Sequence, residues 1–417
     1  MSEIKMLLYF MKRILLHDDY KLMTCNKVVI YFFYTLKMKD IKICLVSDTV
    51  YDVNGVSRFI QDIAKEAIKY EKDFSVISST KKNHYEDIPN IYNLKPIFAR
   101  KMPFYNSLDL VFPNFFKIKS KIKELNPDLL HISTPGTVGL CALISAKLLS
   151  IPVVGIYHTD FPSYLYKNTK SKFVKYLTIK FLKFFYSGYK AIFSRSKEYI
   201  QIIEEQLGFQ KENIHILKAG INITSFDKSF KDDSIWDTYE INRNSFKVLY
   251  VGRVSVEKNV DKLIRYWRKA NFINCELILV GDVEFDIGFE DKKNSNIKLL
   301  GRKQKEDLSK LYASSDCFIF PSTTDTLGQV VLEAMSSGLP VIVTNKGGPK
   351  TFVNEDFGYI IGMNSSKDMK KAIKELSFKD EVYYEKSKMA YEYMRDKSIS
   401  HSFLDFWEKN EKIISEF

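Results

Sequence analysis

Cys317-Phe-Ile-Phe-Pro-Ser-Thr-Thr-Asp325-Thr-Leu-Gly-Gln-Val-Val-Leu-Glu333-Ala-Met-Ser-Ser-Gly-Leu-Pro-Val-Ile-Val-Thr344 contains the fold in miniature. Cys317–Pro321 is a short, continuous apolar run ending in turn residues, which reads as a strand buried on both faces. A polar loop carrying Asp325 follows, and Gly328–Ser337 has helical spacing. Pro340–Thr344 is a second buried strand. A strand, a helix and a strand in this order make one parallel crossover unit.

The same alternation extends in both directions. In the second half, strands are predicted at Lys247–Val251, Glu276–Val280 and Ile297–Leu300, with helices at Val260–Ala270, Lys305–Ala313 and Lys367–Leu376. In the first half, strands fall at Ile41–Ser47, Phe74–Ser78, Asp128–Ser133, Pro152–Tyr157 and Ala191–Ser194. Helices fall at Ser57–Tyr70, Phe115–Leu125 and Pro135–Leu149. The chain is therefore α/β, with two doubly wound, Rossmann-like domains. They are expected at 38–222 and 246–385, joined by a polar linker at 223–245 that lacks periodicity. Helices in 386–417 are expected to pack back on the first domain. Residues 1–37 hold two apolar runs, Met6–Phe10 and Val28–Leu36, each too short to cross a bilayer. They are set aside as an extension, and the folded chain is taken to open at Met38.

The 417 residues are 45% hydrophobic and 27% charged, which excludes a disordered, collagenous or polytopic membrane chain. Five scattered cysteines without a Cys-x-x-Cys pair read as reduced, buried thiols rather than a disulfide framework or a zinc site. The net charge is +12, and it is lopsided: residues 1–220 carry about +13 and the remainder about −1. That asymmetry points to a polyanionic surface, nucleic acid or anionic lipid, beside the first half. A lysine-rich proteome would give the same composition without a partner.

In doubly wound sheets, ligands bind where strands end at their carboxyl edge. Four such loops carry chemistry. In the quoted segment, Asp325 and Glu333 lie eight apart, one on the loop and one inside the helix, beside a helix N-terminus suited to phosphate or sugar hydroxyls. Asp325 alone reads as a helix cap, and Glu333 alone as a solvated side chain. Between Leu332 and Ala334, however, Glu333 is costly unless satisfied. Gly252-Arg253 and Lys258 put two cations over one loop, a match for a diphosphate or simply a solvated basic turn. His158 follows a buried strand at the ligand edge. His131 sits in a similar place but reads as structural. Asn54-Gly55 is a Gly turn at a helix start, without the full G-x-G-x-x-G of a dinucleotide fold. There is no P-loop, nucleophile elbow, His-Glu-x-x-His or Asp-x-Asp, so a metal-held diphosphate is not expected.

From about Met38 onward these residues resemble the family 4 glycosyltransferases (glycosyl transferases group 1). The resemblance is carried by Gly252-Arg253…Lys258-Asn259, Leu279-Val-Gly-Asp282, Leu300-Gly-Arg302, Ser315-Asp316, Asp325-x7-Glu333 and Gly347-Gly348-Pro349. Tyr157-His-Thr-Asp-Phe-Pro162 and Thr324-Asp-Thr-Leu-Gly328 look like the branch of α-mannosyltransferases and glycolipid synthases. The resemblance implies the GT-B fold, with two Rossmann-like domains facing across a cleft, acceptor on the first and nucleotide sugar on the second. It implies a retaining, metal-independent hexosyltransferase with a UDP- or GDP-linked donor and no cofactor. By the same resemblance Arg253 and Lys258 hold the donor diphosphate beside Gly252. Glu333 binds the ribose hydroxyls. Asp325, with Thr326 and the backbone N–H groups of Leu327 and Gly328, holds the sugar. His158 sits near the reacting centre, and Gly55 gives close backbone access. Asn54, Asp160 and Tyr164 fall on the acceptor side. Asp325 departs from the family, which usually has Glu there.

Phe161–Lys190 contains seven lysines and no acid. At helical spacing Phe173, Val174, Leu177, Phe181, Phe184 and Phe185 share one side, and Lys172, Lys175, Lys180 and Lys183 the other. The stripe reads first as an ordinary helix facing its core. The lysine excess, with Lys117, Lys119, Lys121 and Lys123, still points to an anionic leaflet. The expectation is a lipid or lipid-linked acceptor and a peripheral position at the inner face of the cell membrane. The alternatives are a soluble glycan or capsular precursor as acceptor, and last a non-catalytic nucleic-acid binder, for which the aromatic-basic interleaving of RNA-binding sheets is missing.

Overall fold

The computed structural model describes residues 41–52, 54–82, 87–102, 105–285, 296–364 and 366–416. The extension read at 1–37 lies outside them. Two parallel sheets dominate. The first is built from β1 (Ile43–Ser47), β2 (Phe74–Ser78), β3 (Ile91–Asn93), β6 (Leu129–Ile132), β7 (Val153–Tyr157), β8 (Ala191–Ser194) and β9 (Ile214–Ile216), in the order β3-β2-β1-β6-β7-β8-β9. A small antiparallel pair, β4 (Phe98–Met102) and β5 (Tyr105–Phe112), stands apart from it. The second sheet orders β10 (Phe246–Val251), β11 (Cys275–Val280), β12 (Ile297–Gly301), β13 (Cys317–Phe320), β14 (Val341–Thr344) and β15 (Gly358–Ile361) as β12-β11-β10-β13-β14-β15. Both orders reverse beside the first strand of the sheet, which opens a crevice at the carboxyl edge.

The central strands are buried throughout because helices cover both faces. Helix Gly55–Lys69 shows how the sequence enforces this. Asn54 caps it by accepting the N–H groups of Val56 and Ser57, and Phe59, Ile60, Ile63, Ala64 and Ala67 form its buried stripe. Helix Thr137–Leu149 has no capping side chain of its own at Gly136. The half-buried carboxylate of Asp48, just after β1, supplies the cap: it accepts from Val138 N at 2.8 Å and Gly139 N at 3.2 Å.

Three expectations change. The segment read as a linker belongs to the second core, because Phe226, Ile235, Trp236 and Ile241 are buried in it. Irregularly scattered apolar residues in a polar stretch leave no periodicity to detect. Of the helices expected to return to the first domain, Glu381–Met394 packs instead on the second: Ala390 and Met394 join its core, and Tyr383 donates to Asp316 O at 3.0 Å. Helix Ile399–Ser415 does return, stacking Phe403 on Tyr70 and Phe406 edge-on to Phe74. Helix Lys172–Tyr186 turns its apolar stripe outward. Only Leu182, Phe185 and Tyr186 are buried, while Phe173 and Phe184 are 68% and 69% exposed.

Four of the cysteines, Cys44, Cys141, Cys275 and Cys317, are free thiols; Cys25 lies outside the described residues. Among the described residues no helix is long and apolar enough to cross a membrane.

Candidate active site

The second sheet brings its loops together through glycine. Gly252 and Gly281 end β10 and β11 at φ +143° and +142°. A Cβ on Gly281 would lie 2.0 Å from the carbonyl oxygen of Gly252, so the two loops touch because Gly281 bears no side chain there. Arg253 and Lys258 are thereby set beside the loop after β13. Arg253 pairs with Glu257 at 2.8 Å and with Glu284 at 3.0 Å. Lys258 pairs with Asp325 at 2.8 Å and approaches Glu257 to 3.4 Å. Burial works against both charges of the Lys258–Asp325 pair, but their mutual attraction wins: Asp325 stays below the usual carboxylate range and Lys258 above the usual amine range. Both remain charged at neutral pH.

Gly328, at φ +71°, is the cap of helix Gln329–Ser336. A Cβ on it would meet Pro349 at 2.6 Å. Asp325, which alone reads as a cap, does not cap this helix; its backbone oxygen accepts Gly348 N at 2.7 Å. Leu327 is buried just before the first turn. Inside the helix Glu333 is 1% exposed and satisfied twice: it accepts from Tyr312 Oη at 3.0 Å and pairs with Arg58.

On the first domain, His158 directly follows β7. It is buried, with Nε2 2.8 Å from Ser133 Oγ and its ring edge-on to Phe59 at 5.6 Å between centroids. Burial, and after it the nearby Arg195 charge, holds its pKa well below the usual value, so the imidazole is neutral. Asp160 is buried and caps helix Phe161–Thr169 by accepting from Ser163 N at 3.2 Å. Tyr164, one turn into that helix, is also buried. Asn54 is likewise engaged as a cap, while Gly55 lies exposed opposite Gln329 of the second domain.

Side chains of both domains meet where the two carboxyl edges face each other. Thr326 Oγ1 donates to His158 O at 2.6 Å. Lys167 Nζ donates to Glu257 O at 2.6 Å. Ser196 and Thr351 hydroxyls lie 3.4 Å apart. Arg58 reaches Glu333. His158, Thr326, Asp325, Lys258, Arg253 and Glu333 thus gather at one seam, while Asn54, Asp160 and Tyr164 lie on the helices that frame it.

Sequence reasoning passed over Arg58, Glu257, Lys167, Tyr312 and Arg195. Arg58, Asp62 and Lys65 form the polar stripe of an amphipathic helix, a pattern indistinguishable from a solvated face. Glu257 stands within the quoted basic loop, where its sign hid its place between the two cations.

Comparison with known proteins follows the same seam. Residues 53–225 match the family model described as Glycosyltransferase Family 4, and residues 232–397 that of Glycosyl transferases group 1. The chain is 30% identical to the sulfoquinovosyl transferase SQD2 of Arabidopsis thaliana over 65% of its own length, spanning about half (54%) of that protein. It is 22% identical to a GDP-mannose-dependent alpha-mannosyltransferase of Corynebacterium glutamicum, covering 87% of this chain and 86% of the other. It is 24% identical to an alpha-monoglucosyldiacylglycerol synthase of Streptococcus pneumoniae, covering 72% and 70%. The fold matches a solved glycosyltransferase of Rickettsia africae with a TM-score of 0.69 at 18% identity, over 91% of this chain and all of that one.

Proposed function

The chain belongs to the family 4 glycosyltransferases and has the GT-B fold, and from that premise we propose that it is a retaining transferase moving a hexose from a UDP- or GDP-linked donor to a lipid or lipid-linked hydroxyl at a membrane surface. One observation carries the donor half of this reading. Two cations, Arg253 and Lys258, stand beside a helix N-terminus that leads to the buried carboxylate of Glu333. That sequence of groups matches a diphosphate followed by a ribose.

In this reading Glu333 accepts the ribose hydroxyls, and Arg253 and Lys258 take the charge that grows on the departing diphosphate. No metal ion is required for that neutralisation. Asp325 and Thr326, with the N–H groups of Leu327 and Gly328, orient the sugar against His158. The acceptor hydroxyl attacks the anomeric carbon on the face the diphosphate leaves. The carbon–phosphate-oxygen bond breaks as the new glycosidic bond forms, and the leaving phosphate oxygen takes the hydroxyl proton. Positioning and leaving-group stabilisation do the chemistry, and no protein nucleophile is needed.

The membrane half rests on the outward stripe of helix Lys172–Tyr186. Phe173, Tyr176, Leu177, Phe181 and Phe184 are all exposed, amid Lys172, Lys180 and Lys183. A contiguous apolar face ringed by cations fits an anionic leaflet. Beside it, a depression lined by Tyr166, Lys172, Lys175, Tyr176 and Ile179 offers cations and hydroxyls to a phosphate headgroup. The named relatives include an alpha-monoglucosyldiacylglycerol synthase, which supports a lipid acceptor.

The test is thermal stabilisation of the purified protein by UDP and by GDP, in EDTA and again in magnesium. A rise with one nucleotide in EDTA supports the site, identifies the base and supports metal independence. A rise only in magnesium overturns metal independence, and no rise with either overturns the donor reading.

A further inference from the structure

Arg195, the residue after β8, is a buried cation that the donor reading leaves without a task. Its side chain is 6% exposed. The guanidinium carbon lies 4.2 Å from the centre of the Phe59 ring, whose edge-on partner is His158. Arg195, Phe59 and His158 therefore form one wall at the carboxyl ends of β7 and β8. The next residue, Ser196, meets Thr351 of the other domain, so the wall borders the seam.

The Nε of Arg195 is buried with no hydrogen-bond partner among the described residues. Burial pushes the guanidinium down to about 10, and Asp62 offsets this only through space; the group stays charged at neutral pH. A guanidinium has five donors in a rigid fork, and an aromatic face satisfies none of them. Leaving a buried donor unpaired is costly. The fork matches a carboxylate, sulfonate or phosphate oxyanion.

We propose that Arg195 is a specificity residue that binds an anionic group on the ligand lying against His158. This rests on the donor-site reading and goes beyond it, because it assigns a charge to the ligand. The anion has two possible sources: an acidic transferred sugar, such as a uronate or a sulfonated hexose, or a phosphate on the acceptor.

The experiment has two arms, each run on the full-length wild type, Arg195→Gln and Arg195→Lys. In the first, dissociation constants are measured for UDP, UDP-glucose and UDP-glucuronate, and for GDP, GDP-mannose and GDP-mannuronate. In the second, the nucleotide-saturated protein is titrated with glycerol phosphate. A sugar source gives at least about a tenfold preference for the acidic donor, the range of one charge-assisted pair. Arg195→Gln erases that preference and Arg195→Lys keeps part of it. An acceptor source leaves the donors level, and the glycerol phosphate response disappears in Arg195→Gln. If Arg195→Gln, folded by its melting temperature, alters neither arm, the proposal is overturned. If neither nucleotide binds the wild type, the donor-site reading itself falls, and this inference with it.

Discussion

At the residue scale, the cations proposed to meet the diphosphate are already engaged. Glu257 accepts from Arg253 and Thr324 and stands 3.4 Å from Lys258, so an incoming diphosphate competes with a carboxylate for the same charges. Lys258→Ala should lower turnover by about a hundredfold or more, the scale of losing one transition-state charge contact, in a protein that still folds; wild-type turnover would remove Lys258 from the phosphate site. Glu333→Ala should weaken nucleotide binding in a calorimetric titration. Arg58→Ala acts on the same carboxylate differently. It leaves Glu333 buried with Tyr312 alone, and should cost about 1–3 kcal/mol of stability, discounted because Arg58 is half exposed. His131 offers a pH test. Its Nε2 lies 2.6 Å from Asn410 Oδ1, and the Asn410 amide N–H donates to Phe406 O, so Nε2–H is the donor. Burial holds the ring down at about 4 against 6.5 unfolded. Below 6.5 the unfolded chain takes up the proton more readily, so the neutral ring's contribution is full above 6.5. It is lost as pH falls toward 4, by about 3 kcal/mol in all. The stability gap between wild type and His131→Gln should shrink over that window; a pH-independent gap would contradict the assignment.

At the scale of elements, two helices carry opposite lessons. Helix Gln329–Ser336 starts where it does because Gly328 adopts a left-handed turn against Pro349. Gly328→Ala should force the loop carrying Asp325 to shift and weaken both folding and nucleotide binding, measurable by melting and titration. Helix Lys172–Tyr186 keeps an apolar stripe in water that its own core does not use. Phe181→Ser with Phe184→Ser should leave stability within about 0.5 kcal/mol, as at other exposed sites. It should also release the protein from vesicles of anionic phospholipid by at least about tenfold, since each buried Phe is worth about 2 kcal/mol. Vesicle sedimentation in low and high salt checks both the aromatic and the lysine contributions. Retained binding by the double variant would assign the stripe elsewhere.

At the scale of the whole molecule, the chain crosses from one sheet to the other and returns. Helix Ile399–Ser415 buries Phe403, Phe406, Trp407 and Ile413 against the first domain, and Ser400 donates to Glu66 at 2.6 Å. Four such side chains amount to about 6–12 kcal/mol, comparable with the net stability of a domain. Removal of residues 397–417 should therefore give an aggregating or protease-sensitive product rather than a stable two-domain enzyme, as read by size exclusion and limited proteolysis. Among the described residues, the carboxyl-edge seam is closed by polar side chains, Thr326, Lys167, Arg58 and the Ser196–Thr351 pair. Such a polar interface is easily reorganised by a ligand, which suits the site proposed to admit a nucleotide sugar.

The sequence by itself determined the central strands of the two parallel sheets, because each buried strand leaves a continuous apolar run and each covering helix a periodic one; the short, partly buried strands Ile91–Asn93, Ile214–Ile216 and Gly358–Ile361 leave no such run. Ser57–Tyr70, Val260–Ala270 and the strands around Asp325 were legible for that reason. It also placed Gly252, Arg253, Lys258, Gly328 and Glu333 together, since residues just past strand ends share one edge. Only the tertiary structure decided which charges meet across that edge. Arg58 and Glu333 are 275 residues apart, and no periodicity encodes a pairing over that distance. It alone showed that Asp48 caps a helix ninety residues on, that Trp236 belongs to a core, and that the stripe of Phe181 and Phe184 faces outward. An apolar stripe records that a side is hydrophobic. What covers it is fixed by the position of every other element, and that information is in the packing.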